Sequence, residues 1–265
     1  RINVTINGIP LNDAESHGTF WVNMPDFASS TQSLQLQRGV GTSTNGAGAF
    51  GASLNMLTDA FSEEAYARIS TSVGSFNTLR NNVKFSTGLM NDHFEFSGRL
   101  SRVTSDGYVD RAASELDGYF LQGVYNDDNT LIKALLFGGH EVTYQAWNGI
   151  TADQLENNRT YNSAGEYTDD NGVTQYHDNE VDDYKQDHFQ LHWYETWNSA
   201  WNTHLAVHYT RGRGYFEQYR DDDDFATYGL EPITVNGNLV ETTDLIRRRW
   251  LDNDFYGTIF LLIIF

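Results

Sequence analysis

From residue 65 onward the sequence alternates apolar and polar residues in short stretches, and turns of very unequal length separate them. Phe94, Phe96 and Leu100 fall on one face of the stretch 94–101, with Glu95, Ser97, Arg99 and Ser101 on the other. The stretch 65–73 sets Ala65, Ala67, Ile69 and Val73 against Tyr66, Arg68, Ser70 and Ser72, and 81–89 sets Val83, Phe85 and Leu89 against Asn82, Lys84 and Ser86. In 188–197, Phe189, Leu191, Trp193 and Trp197 oppose His188, Gln190, His192 and Tyr194; in 201–209, Trp201, Leu205, Val207 and Tyr209 oppose Asn202, His204 and His208. Period two with one apolar face defines a half-buried strand. Residues 117–126 and 130–142 alternate less cleanly, and an eighth strand begins near Trp250. The expected class is mainly all-β.

The connections carry a second regularity. Asn91-Asp92, Asp127-Asp128-Asn129 and Asn198-Ser199-Ala200 are short, whereas 102–116, 143–186 and 211–249 are long, and the first connection, around Gly74 to Arg80, is intermediate. Short turns at one rim and long loops at the other are the pattern of a transmembrane β-barrel, whose strands are apolar on one face only and escape a hydropathy scan. Composition agrees: aromatic residues make up 14% of the chain, Gly is abundant at 23 and Pro scarce at 3, and Tyr, Trp and Phe favour strands and interfacial girdles. No apolar run approaches the roughly 20 residues of a membrane helix. The absence of cysteine excludes disulfides and thiol chemistry. A net charge of −19 argues against nucleic-acid partners. Asn171-Gly172 and Asn236-Gly237 read as hairpin turns inside the long loops.

Residues 1–58 differ: they are nearly uncharged over long stretches and rich in Gly, Ser, Thr, Asn and Gln. An eight-stranded barrel is filled by its own side chains, so such a segment fits only outside it or inside a larger barrel of which this chain is a part. The second option is expected. The C-terminal Leu261-Leu262-Ile263-Ile264-Phe265, which loses the alternation, points the same way; the opening on Ile2-Asn3-Val4-Thr5-Ile6 without a signal segment fits either a trimmed mature chain or a fragment.

The run Val4-Thr5-Ile6-Asn7-Gly8, then Leu34-Gln35-Leu36-Gln37-Arg38-Gly39, then Asn45-Gly46-Ala47-Gly48-Ala49-Phe50-Gly51-Ala52-Ser53-Leu54-Asn55-Met56 resembles the later half of the plug domain of TonB-dependent outer-membrane receptors. Its details are closer to receptors of Bacteroides-like bacteria than to enterobacterial ones. Asn7, Val40 and Asn45 depart from the Asp, Pro and Tyr of the family pattern. The resemblance implies a partial plug over 1–58 followed, over 59–265, by the first roughly eight strands of a large antiparallel transmembrane barrel of about 22 strands. It further implies a Gram-negative outer-membrane location and active import of a bulky, scarce nutrient, most of all an iron complex (siderophore or haem), otherwise cobalamin or a glycan. A TonB-type inner-membrane energy-coupling complex would be the partner, lipid and lipopolysaccharide the surroundings, with no catalysis and no cofactor. The alternatives are an outer-membrane barrel hydrolase and an extracellular glycan-binding β-protein.

On this frame two plug apices are candidate ligand contacts: Glu15, Ser16, His17, Thr19, Phe20 and Trp21 in one, Thr42, Ser43, Thr44 and Asn45 in the other. Their mixture of aromatic, hydroxyl and ionisable groups suits a polar ligand. Gly46-x-Gly48-x-x-Gly51 matches a dinucleotide fingerprint by letter, but Ser53 to Met56 reads as extended where that motif needs a helix. If Trp197 pairs with Trp201, His204 opposes Tyr194, His208 opposes Gln190 and His192 opposes Ala206. His192, His204 and His208 are then neighbours on a polar wall and candidate metal or haem ligands. The loop 143–186 and Asp221-Asp222-Asp223-Asp224 are acidic and lack EF-hand spacing, and read as solvated loops. Arg247-Arg248-Arg249 beside Trp250 could hold lipopolysaccharide phosphates or pair with neighbouring acids.

Overall fold

A computed structural model describes residues 2–40 and 48–264. The N-terminal sheet contains β1 (Ile2–Ile6), β2 (Ile9–Pro10), β3 (Thr31–Arg38) and β4 (Ala52–Thr58) in the order β2-β1-β4-β3. A long meander follows: β5 (Ala65–Val73), β6 (Leu79–Thr87), β7 (Phe94–Ser105), β8 (Ser114–Asn126) and β9 (Thr130–Tyr144). The next loop holds helix α1 (Ala152–Asn157) and a hairpin of β10 (Glu166–Thr168) with β11 (Thr174–Tyr176). Then come β12 (Val181–Asn198) and β13 (Trp201–Asp224), a second loop hairpin of β14 (Ile233–Val235) with β15 (Asn238–Val240), and β16 (Thr242–Ile264). The eight long strands form one antiparallel sheet in the order β16-β13-β12-β9-β8-β7-β6-β5, and its two end strands do not pair with each other. It is an open, curved wall.

The hairpin register matches the sequence reading: Tyr194 faces His204, Gln190 faces His208 and His192 faces Ala206. The turn itself differs, because Asn198 pairs with Trp201 across an irregularity that leaves Trp197 without a partner. The two loop hairpins form where expected, with Asn236 and Gly237 both at positive φ (52° and 85°), the two-residue turn that suits right-twisted strands. The strands, however, outrun their alternation. The long loops shrink to 106–113, 145–180 and 225–241, and β13 and β16 reach 24 and 23 residues. Past Arg102, His140 and Arg211 the outer face carries charged pairs, so nothing selects apolar side chains there, and backbone pairing continues without a period-two signature.

Which face is covered is the decisive feature of the wall. The polar positions are inside: Glu95, Ser97, Arg99, Ser101, Gln122, His188, Gln190 and His192 are buried. The apolar positions are bare: Phe94, Phe96, Leu100, Ile132, Phe189, Leu191, Val207 and Tyr209 are all exposed. Above this apolar band the outer face turns charged, with Arg102 bonded to Glu115 at 2.6 Å, His140 to Asp183 at 2.7 Å and Arg211 to Asp252 at 2.5 Å.

The N-terminal sheet packs on the inner face. Val4, Ile6, Met24, Phe27 and Met56 share one buried cluster with Phe120, Leu135 and Phe137 of the wall, and the Phe27 and Phe137 rings lie 5.0 Å apart. Pro25 seats in a notch formed by Gly118 and Gly139, which are cross-strand partners. A Cβ at Gly118 would come within 2.4 Å of the Pro25 carbonyl oxygen, and one at Gly139 within 2.3 Å of Pro25 Cδ. Gly139→Val is therefore expected to unseat this contact at a cost of about 1–3 kcal/mol. Limited proteolysis reads it as faster cleavage of the N-terminal region; an unchanged cleavage rate would contradict the notch.

Candidate functional site

Two polar assemblies lie between the N-terminal sheet and the wall. The first is an anchor centred on Asp26. Its carboxylate accepts hydrogen bonds from Arg80 Nε at 2.9 Å, Asn82 Nδ2 at 2.7 Å and Ser29 Oγ at 2.8 Å. Arg99 Nη1 stands 3.2 Å away, with its side chain 1% exposed. Arg99 is further satisfied by the Ser30 and Ser101 hydroxyls, each at 2.8 Å. Burial pushes the Asp26 carboxyl up, but the donors from Arg80, Asn82 and Ser29 and the charge on Arg99 outweigh it and hold the group below its ordinary value. Farther along, Lys84 pairs with Asp59 at 2.5 Å, and Lys133 Nζ donates to Thr58 Oγ1 and to the Asp59 carbonyl, both at 2.9 Å.

The second assembly is a cavity of about 530 Å³ bounded by the loop 10–24, by inward residues of β9, β12 and β13, and by the edge strand β16. That volume lies in the range of small-molecule sites. The loop is shaped by its own side chains. Asn12 Oδ1 accepts from Val4 N at 2.8 Å, while Asp13 Oδ1 accepts from the Glu15 and Ser16 amides at 3.0 and 2.6 Å. His17 takes positive φ (56°) and Gly18 N donates to Ser16 Oγ at 3.1 Å, closing the turn. Partial burial raises the Asp13 carboxyl, but the Ser16 and Glu15 donors and the nearby His17 prevail and lower it.

Glu15, Ser16, Thr19 and Phe20 line this cavity. His17 and Trp21 do not: His17 spends its carbonyl on Asn12 Nδ2 at 3.1 Å, and Trp21 starts a short 3-10 turn, Trp21–Asn23, half exposed. The second candidate apex, Thr42, Ser43, Thr44 and Asn45, lies outside the described residues, as do Gly46 and Ala47 of the glycine motif. Past that motif, β4 starts at Ala52 as a strand. The wall contributes Glu141, Asp182, Tyr184, Gln186 and His188 to the cavity. Inward parity was the available signal for them, readable over His188 and lost in the poorly alternating stretches that hold the others.

The histidines separate. His192 Nδ1 and His204 Nε2 are 3.1 Å apart, and their rings stack at 5.4 Å. His208 instead turns to β16, where its ring lies 5.1 Å from that of Phe255. Gly257 opposite has no Cβ to block it; one there would come within 2.6 Å of His208 Nε2. Of the three candidate histidines only two meet, and no group of three or more His, Cys, Asp or Glu among the described residues is placed to hold a metal ion. Arg248 pairs with Glu217 at 2.6 Å and Arg247 donates to Gln218 Oε1 at 2.6 Å, so two of the three clustered arginines serve the sheet itself.

No protein-family model matches the sequence, and no curated protein is detectably similar to it. Solved structures do share its fold. The ferric-catecholate import receptor Fiu from E. coli K12, in its open form, superposes with a TM-score of 0.65 at 12% identity over 98% of this chain and 39% of Fiu. The siderophore receptor PiuA from Acinetobacter baumannii gives 0.64 at 12% over 98% of this chain and 34% of PiuA. The ferripyoverdine receptor of the outer membrane of Pseudomonas aeruginosa gives 0.58 at 12%, covering 82% and 29% respectively. The chain spans little more than a third of the length of the first two. Its fold is that of a partial plug followed by part of a large antiparallel β-barrel, and the proteins that share it are described as receptors and transporters rather than enzymes.

Proposed function

We propose that the chain is the later half of a plug and the first eight strands of the barrel of a TonB-dependent outer-membrane receptor that imports an iron complex, a siderophore or haem. The observation that carries this reading is the reversed wall, with buried Glu95, Arg99, Gln190 and His192 on one face and bare Phe94, Phe96, Leu191 and Val207 on the other. A continuous apolar sheet face of this extent is unsuited to water and suited to lipid. The inner face seats the N-terminal domain through the Asp26 anchor and the apolar cluster around Phe137, as a plug inside a barrel requires. Ferric complexes are the cargo named for the proteins that share the fold.

The soluble glycan-binding alternative needs water against that apolar band. The hydrolase alternative needs a serine activated by histidine, and among the described residues the histidine rings bond to Thr, Asp, Glu, Gln, His and a backbone carbonyl, not to serine. The partners in this reading are an inner-membrane TonB-type complex and the surrounding lipid and lipopolysaccharide. The test is uptake of radioactive iron by the source organism with the full-length gene deleted and restored. Iron-loaded siderophores, haem, cobalamin and oligosaccharides are supplied singly under limitation. Loss of one ferric ligand, restored only with energy coupling intact, is the expected result; unchanged uptake of every iron complex would contradict it.

A further inference from the structure

The cavity beneath the loop 10–24 is lined by acids and by no lysine or arginine. Asp13 and Glu15 line it from the loop, Glu141 and Asp182 from the inner wall, and Asp252 and Asp254, both paired with Arg211, from β16. Asp13 is occupied by its own turn. Glu141 is not: it is 2% exposed, its hydrogen bond is a 3.4 Å contact from Thr143 Oγ1, and no salt bridge reaches it among the described residues. With no cation beside it, burial and the charges on Asp182 and Asp183 push the Glu141 carboxyl up to about 8, and burial raises Asp182 as well, so Glu141 keeps its proton at neutral pH until a cation joins it.

Neutral groups on the same cavity point independently to a ligand. His188, 4% exposed, stacks on Phe137 and engages Thr210 Oγ1 through Nδ1 at 2.9 Å, while its Nε2 has no hydrogen-bond partner. Thr19 Oγ1, from the loop, is buried without a partner as well. Both residues line the cavity. Buried polar atoms are almost always satisfied, so two unsatisfied ones flanking a carboxyl group without a charged partner mark a place that a polar ligand completes. Among the described residues no group of three or more His, Cys, Asp or Glu is placed to hold a bare metal ion.

We infer that this cavity accepts the cationic part of a ferric chelate, a protonated amine or guanidinium group, and disfavours anionic catecholate or carboxylate chelates; this rests on the receptor reading above. An N–H donor on Glu141 forms a charge-assisted hydrogen bond. An anion placed there would meet the Asp13 carboxylate and further oppose ionisation of Glu141 and Asp182, whereas a cation favours it.

The experiment uses the full-length receptor in the deletion strain, with radioactive iron supplied as a hydroxamate chelate bearing a free protonated amine (ferrioxamine B), as a ferric tris-catecholate, as ferric citrate and as haem. The amine-bearing chelate is expected to be bound and imported, and Glu141→Gln and Asp182→Asn each to weaken its binding, Glu141→Gln by at least about tenfold. Receptor levels in the membrane should stay unchanged, since both substitutions preserve shape and Asp182 is only half-buried. Import of an anionic chelate or haem but not of the amine-bearing one would overturn this inference and leave the receptor reading standing. Import of the amine-bearing chelate unaffected by both substitutions would overturn the site. Transport of none of the four iron complexes would remove the receptor reading itself.

Discussion

Leu191→Arg in the full-length protein is expected to prevent stable insertion, because one arginine on the lipid face near the bilayer midplane costs about 2–4 kcal/mol. Leu191 lies on the outer face of β12 between Ala134 and Val207, its partners on either side, and is exposed. No acid lies directly beside it on those strands to pair with a new cation. Leu191→Phe keeps the face apolar and should insert normally. Heat-dependent electrophoretic mobility and urea titration of the lipid-folded protein measure both variants. A Leu191→Arg protein as stable as the parent would mean that the face does not meet lipid.

Asp26→Ala is expected to have the second large effect, on the seating of the N-terminal domain. It strips Arg99, 1% exposed, of its counter-charge and leaves it two hydroxyl acceptors. Removing one partner of a buried pair costs about 3–5 kcal/mol because the other charge stays buried alone. The double variant Asp26→Ala with Arg99→Met should recover part of that loss, since an apolar replacement of both partners abolishes the orphan. The acid side follows from the same contacts. The Asp26 carboxyl titrates below its ordinary value when folded and near about 3.9 when unfolded. Its contribution is therefore fully present above that pH and fades as pH falls through the folded value. Thermal release of the N-terminal domain at pH 7 and in acid checks both statements. Identical release in parent and Asp26→Ala, or a parent insensitive to acid, would contradict the anchor.

The parts of this fold with one apolar and one polar face are legible in the residues. Phe94, Phe96 and Leu100 against Glu95, Ser97 and Arg99 define β7 and its two environments without any coordinates, and the spacing around Asn198 places Tyr194 opposite His204. Three things are not legible. The ends of β12, β13 and β16 run past the apolar band, where the outer face is charged and no period-two pattern is kept. The anchor joins Asp26 to Arg80 and Arg99, separated by 54 and 73 positions in sequence, and no local pattern announces a partner so distant. Which of the candidate histidines meet is not legible either, because strand register fixes where backbones meet, whereas ring direction depends on neighbours such as Gly257, which lets His208 turn toward Phe255.

The most direct measurement is a spin-label scan along 188–194 and 203–209 in the full-length protein in lipid, with single cysteines introduced into a segment that has none. Collision with lipid-soluble oxygen and with an aqueous nickel chelate reports the surroundings of each label. Labels at Phe189, Leu191, Leu205 and Val207 should collide with oxygen and not with nickel, while labels at Gln190 and His192 should be shielded from both. Nickel access at Leu191 and Val207 would place water on that face and contradict the membrane wall.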